Sequence, residues 1–146
     1  MLHLEQLKQE WSKDCQIDSD HLDESAIRTA NLHQKYLDIL TEYKLRIFKL
    51  EKEFLTMKGI RAKYYMGQMS KDELLEYEWE QYQFKTPLKS ELERLLETDT
   101  ILLNIQDKQS YINFCFEYVG EVMKSLKDRV WQIRAAIDWK KFESGN

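Results

Sequence analysis

Proline occurs once and glycine four times in this 146-residue chain. So few breakers leave little room for tight turns and favour long regular elements. Strand-like alternation is absent over any useful length, which leaves helix. Two cysteines, Cys15 and Cys115, are too few for a disulfide framework. Each lies in an apolar helical pattern and is expected to be a buried free thiol. The histidines are His3, His21 and His33, and no Glu-x-x-His pair of the kind a bundle metal site needs is present. His33 falls three residues before Tyr36 in an apolar series, so a core or interface histidine is expected there. No glycine-rich loop runs into Lys-Ser or Lys-Thr, so nothing cradles a nucleotide phosphate. No apolar run approaches the about 18 residues of a membrane span. The opening MLHLEQLKQEW has neither the basic nor the apolar stretch of a secretory leader. A soluble, intracellular setting is expected.

What is present is amphipathic helix. The hydrophobic fraction is 42% and the charged fraction 33%, a composition that folds. Leu2, Leu4, Leu7 and Trp11 predict a short first helix to about Lys13. Asp18, Ser19 and Asp20 offer caps for the next, with Ser19 or Asp20 as its start. Their spacing lacks the glycine and terminal glutamate of a calcium loop. Tyr36, Leu40, Tyr43, Ile47, Leu50, Phe54 and Met57 then recur at steps of four and three. That rhythm predicts one long helix from about Ser19 to Met66, stopped by Gly67. Gly59 interrupts it at a cost of about 1 kcal/mol. Ser70 and Glu73 form a capping box for a third helix running to about Phe84. Thr86 and Pro87 start a fourth, extending to about Ile105, and Asp107 is a candidate cap for a fifth. The last segment carries the stripe Ile112, Phe116, Val119, Met123, Leu126, Val130, Ile133 and Ile137. Faces this extensive exceed what one small chain needs. The expected architecture is therefore all-α, with long amphipathic helices that bury their stripes against others, from this chain or from neighbours in an oligomer, for which a ring or barrel is one form.

The carboxylates do not form a site. Glu76 with Glu80, and Glu91 with Glu93 and Glu97, read as solvated helix faces. Paired-carboxylate chemistry needs opposed groups in a cleft, which no spacing here indicates. The informative feature is uneven charge. The total is only -4, yet Lys44–Lys63 carries net +5, Lys71–Asp99 net -5 and Lys124–Lys141 net +4. Lys58, Arg61, Lys63, Tyr64 and Tyr65 fall within two turns, where cations suit phosphates and tyrosines suit unpaired bases. The same residues also fit the end of a packed seam with its cations in solvent. Both readings stand on the residues alone. An oligomer favours the first, because copies of a weak patch form a phosphate track.

Several short stretches, in order along nearly the whole chain, resemble the UvsY family of recombination mediators from T-even-type bacteriophages. They are Ile17-Asp18-Ser19, then Ile60-Arg61-Ala62-Lys63-Tyr64-Tyr65-Met66-Gly67, Lys85-Thr86, Asp99-Thr100 and Phe114-Cys115. The resemblance implies a non-enzymatic accessory protein of the host cytoplasm, without a cofactor of its own, acting in recombination, repair and replication. It implies single-stranded DNA binding, a ring-like homo-heptamer, and contacts with the phage recombinase and the phage single-strand-binding protein. ATP belongs to the recombinase. DNA contact is implied at the basic segment before the tyrosines, where Arg61 matches. Gly59 stands where the family pattern has lysine, with Lys58 beside it. Within one helical domain, 1–146, region 1–110 is then expected to hold the DNA patch. Region 111–143 is expected to be the assembly region. The competing expectation is a helical scaffold that binds proteins and not DNA.

Overall fold

The computed structural model describes residues 1–145 and contains five α-helices: α1 (Leu4–Asp14), α2 (Leu22–Tyr65), α3 (Lys71–Glu76), α4 (Lys89–Glu97) and α5 (Thr100–Glu143). No strand is found among the described residues. Two compact units are present. Unit 1 joins Met1–Arg46 to the chain from Tyr111 onward, and unit 2 is Ile47–Ser110.

In unit 1, α1 and the first part of α2 bury a common core with the later part of α5. The buried positions on α2 are Leu22, Ser25, Thr29, Leu32, Tyr36 and Tyr43. Those on α5 are Ile112, Cys115, Val119, Val122, Leu126, Arg129 and Ile133. Both sets keep the three-and-four rhythm of helices packed side by side. Each fully buried aliphatic side chain contributes about 1.5–3 kcal/mol. The α5 seam corrects the phase of the expected stripe. Ile112, Val119, Leu126 and Ile133 do face inward, but Cys115, Val122 and Arg129 complete the row. Phe116, Met123 and Ile137 are only half-buried, and Val130 is 55% exposed. The arginine at a core register hid the true phase.

Arg129 is 3% exposed and explains how α1 is held. Its guanidinium donates to the carbonyls of Asp14, Cys15 and Gln16, just where α1 runs out of internal partners, and to the Thr29 hydroxyl. The Asp14 carboxylate accepts from Lys35 Nζ at 2.6 Å, Arg28 Nη2 at 2.7 Å and the Tyr36 hydroxyl at 2.9 Å. Burial pushes the Asp14 carboxyl up, but Lys35, Tyr36 and Arg28 outweigh it and hold it below the usual range. Tyr43 and Tyr111 pin the other end of α1, at the Leu2 carbonyl and the Leu4 amide.

The start of α2 differs from expectation. The Asp18 carboxylate takes the Asp20 amide at 2.9 Å and the His21 ring at 2.8 Å. Ser19 and Asp20 thus lie inside a turn and the helix begins after His21. Cys15 is exposed, contrary to expectation, and His33 is exposed rather than part of the unit 1 core, because their positions fall off the buried rows. Cys115 is buried as expected.

In unit 2, α2 runs through Gly59 without interruption and stops where Gly67 was expected to stop it. Gly67 has φ +67°, its amide bonds to the Tyr64 carbonyl, and the Gln68 amide reaches the Lys63 carbonyl. This paired C-terminal closure requires a left-handed residue, which glycine adopts without strain. Helix α3 is shorter than expected. Ser70 and Glu73 do cap it, but it ends at Glu76 rather than near Phe84. Glu78 there takes φ +59° and makes the same closure, with its amide on Leu75 and the Trp79 amide on Leu74. The left-handed glutamate costs about 1–2 kcal/mol, offset by the ring contacts that the reversal gives Trp79. Helix α4 begins after Leu88, whose amide bonds to Glu91, and not at Thr86-Pro87. It ends at Glu97, and Asp99 rather than Asp107 caps α5: its Oδ1 accepts the Leu102 amide at 3.0 Å.

Candidate nucleic-acid interface

The last turn of α2 places Arg61, Tyr64 and Tyr65 on one side of unit 2, and the reversal after α3 brings Trp79 against them. The Arg61 guanidinium lies 4.4 Å from the centre of the Tyr64 ring, 4.5 Å from Trp79 and 5.0 Å from Tyr65. Its Nε donates to Asp99 Oδ2 at 2.8 Å. The Tyr65 hydroxyl donates to the same oxygen at 2.6 Å, and the Tyr64 hydroxyl donates to the Glu80 carbonyl at 2.8 Å. Tyr82 meets both tyrosines edge-on.

Electrostatics make this box an internal brace. The side chains of Arg61 and Asp99 are 11% and 1% exposed. Burial pushes the Asp99 carboxyl up, yet the Tyr65 hydroxyl, the Leu102 amide and Arg61 together hold it below its usual value. Burial, then the bond to Asp99, pushes the Tyr65 phenol up. Arg61, Tyr64 and Tyr65 are thus brought together as expected, but turned toward one another. Sequence reasoning missed Asp99 and Trp79 as their partners. The signal available was an aspartate directly before a helical run, the pattern of an N-cap.

The two lysines behave differently from Arg61. Lys63 pairs with Glu73 at 2.7 Å, both half-exposed, and Lys63 is the main cause holding the Glu73 carboxyl below its usual range. Lys58 is exposed and makes no ion pair among the described residues. It edges a cavity of about 320 Å³ with apolar Phe54, Leu96 and Leu102 and acidic Glu93 and Glu97. Of the five residues expected at DNA, Lys58 alone presents an unpaired cation to solvent. Lys44 in unit 1, and Lys49 and Lys52 in unit 2, are exposed on the same helix.

A family model described as the recombination, repair and ssDNA binding protein UvsY matches residues 10–146. The chain belongs to the UvsY family. The recombination protein uvsY of Enterobacteria phage T4 is 26% identical over 144 residues, covering 99% of both sequences. Two crystal structures of the bacteriophage T4 recombination mediator protein UvsY share the fold. One, in lattice type II, has a TM-score of 0.80 at 24% identity and 99% coverage of each chain. The other, in lattice type IV, also scores 0.80, at 22% identity, covering 97% of this chain and 99% of that one. Membership of the UvsY family makes the chain a non-catalytic protein. Among the described residues, no group of three or more histidine, cysteine, aspartate or glutamate side chains is placed to hold a metal ion. No helix among them is long and apolar enough to cross a membrane.

Proposed function

We propose that this chain is a recombination mediator of the host cytoplasm, binding single-stranded DNA and promoting loading of a phage recombinase onto DNA covered by single-strand-binding protein. The observation that carries this reading is the UvsY family match across residues 10–146. Lys58 is the direct phosphate contact in unit 2. Lys63 is a second, exchanging Glu73 for phosphate. Arg61 and Asp99 hold the helix end that presents them, and the half-exposed rings of Tyr64 and Tyr65 bound the path of the strand. Each subunit contributes a weak cationic patch. Repetition of that patch around a ring, proposed to be a heptamer, gives affinity by avidity while each contact stays exchangeable. Exchangeable contacts suit a protein that must hand a strand over.

The proposed assembly surface is the row Phe116, Met123, Val130 and Ile137 on α5, spaced seven apart beside the buried seam. Ile112, Val119, Leu126 and Ile133 support it from the core of unit 1. Val130→Glu is expected to dissociate the oligomer and leave helicity intact, whereas Leu126→Glu unfolds unit 1 by burying a charge. Sedimentation and circular dichroism on both variants test this, and an unchanged oligomer in Val130→Glu rejects the surface.

The scaffold without DNA contact gains some support from the inward-facing Arg61, Tyr64 and Tyr65. Filament assembly by the recombinase on a strand precoated with single-strand-binding protein separates the two readings. The mediator reading expects this chain to shorten the lag and Lys58→Ala to restore much of it. The scaffold reading expects Lys58→Ala to act like the unmodified chain.

A further inference from the structure

On the solvent side of α5 in unit 1, turned away from the Cys115–Ile133 seam and bordering the proposed assembly row of Phe116, Met123, Val130 and Ile137, the sequence places Lys124, Lys127, Trp131, Arg134, Lys141 and Phe142. At 100° per residue these six fall within about a third of the helix circumference. All six are exposed, Trp131 at 66% and Phe142 at 73%. Exposed apolar side chains occur along much of this chain, but here Trp131 and Phe142 share one arc with four cations. Only Asp138 is an acid on the same arc. Lys124 is held loosely by Glu121 at 3.0 Å, an exposed pair of little worth. The Arg134 guanidinium lies 5.8 Å from the centre of the Trp131 ring, so cation and stacking surface are already adjacent. From Lys124 to Lys141 the stripe extends about 26 Å at 1.5 Å per residue.

We infer that this stripe is a second single-strand contact, with Lys127 and Arg134 on phosphates and Trp131 stacked on a base. The combination is what sequence-tolerant recognition of an unpaired strand requires: cations at intervals that follow the backbone, and rings between them that accept any base face. Charge complementarity selects the occupant. A positive arc with a single acid favours a polyanion, and the exposed Trp131 ring favours one that carries bases, Phe142 being stacked on Trp139. The net +4 of Lys124–Lys141 includes Arg129, which unit 1 buries, so the surface field belongs to the remaining cations. This site is separate from Lys58 and rests on the reading that the chain binds single-stranded DNA.

The test uses the full chain and a fluorescent oligothymidine, titrated over a range of salt, with sedimentation of every variant. Trp131→Ala is expected to weaken binding about ten-fold, and Trp131→Phe to restore most of it. Lys127→Gln with Arg134→Gln is expected to flatten the log–log salt slope by about 1.4, from about 0.7 per single-strand phosphate released. The oligomer is expected unchanged in all three. Normal affinity and slope in the variants, with the unmodified chain binding, overturns the site and leaves the mediator reading intact. Loss of the oligomer in the variants also overturns it, making the stripe a subunit contact. No binding by the unmodified chain at low salt removes the mediator reading and this site together. Equal binding of the unmodified chain to anionic vesicles lacking DNA, lost in Trp131→Ala, overturns it in favour of a lipid surface.

Discussion

The two units solve the same problem with opposite chemistry. In unit 1 a carboxylate, Asp14, is ringed by the cations Arg28 and Lys35, while the buried Arg129 is neutralised by backbone carbonyls. In unit 2 a cation, Arg61, is ringed by aromatic faces and answered by one carboxylate, Asp99. The first arrangement fastens a short helix by its end. The second fastens a helix terminus to the start of another and leaves half-exposed rings at its rim. In unit 2, Arg61, Tyr64 and Tyr65 are therefore engaged in structure where the sequence suggests a ligand. The proposed contacts are residues that neither arrangement uses: Lys58, Lys63 on exchange of Glu73, and the Lys127, Trp131 and Arg134 stripe.

Removing the guanidinium of unit 2 carries the largest expected effect. Arg61→Ala strands the buried Asp99 carboxylate and is expected to cost about 3–5 kcal/mol in chemical denaturation. Arg61→Lys recovers only part, since an ammonium cannot keep the planar stacking on Tyr64 and Trp79. Removing the guanidinium of unit 1 is milder. Arg129→Met leaves carbonyls rather than a charge unanswered, and about 2–3 kcal/mol is expected. Hydrogen exchange distinguishes the two losses: Arg129→Met speeds exchange in α1, and Arg61→Ala in α3 and the α5 start.

Acid should weaken both units in the same window. The folded carboxyls of Asp14 and Asp99 are held below their ordinary values, so the stability they contribute is present above about pH 4. It is lost as pH falls through the lower folded values. Thermal melts between pH 7 and pH 2 should show this, and Asp99→Asn should flatten its share of the acid limb from an already lower plateau. The smallest expected effect lies beside Lys58. Glu93→Gln with Glu97→Gln removes two screened negative charges from its cavity and should tighten oligonucleotide binding two- to five-fold at low salt, on the order of 0.5–1 kcal/mol.

Much of this was readable in the residues, and the failures have physical causes. The three-and-four rhythm gave the long helices, and Gly67 gave the end of α2, because glycine takes the left-handed turn freely. The same closure at Glu78 was invisible, since no glycine advertises it and only the packing of Trp79 compensates for it. The α5 seam was read correctly at Ile112, Val119, Leu126 and Ile133 and missed at the alternate turns, because Arg129 occupies a core register that apolar matching skips. Arg61, Tyr64 and Tyr65 were found as a cluster. That they face Asp99 was not, because a contact 38 residues away in sequence leaves no local mark.

Lys58 facing a DNA strand while Arg61 braces the unit behind it is the division of roles proposed for unit 2. Its most direct measurement is the affinity of Lys58→Ala and of the unmodified chain for a labelled oligothymidine across salt, alongside their denaturation midpoints. The account predicts a linear fall of log affinity with log salt, a slope shallower by about 0.7 for each Lys58 removed from a phosphate, and unchanged stability. Equal slopes for the two proteins, or a lowered midpoint in Lys58→Ala, would contradict it.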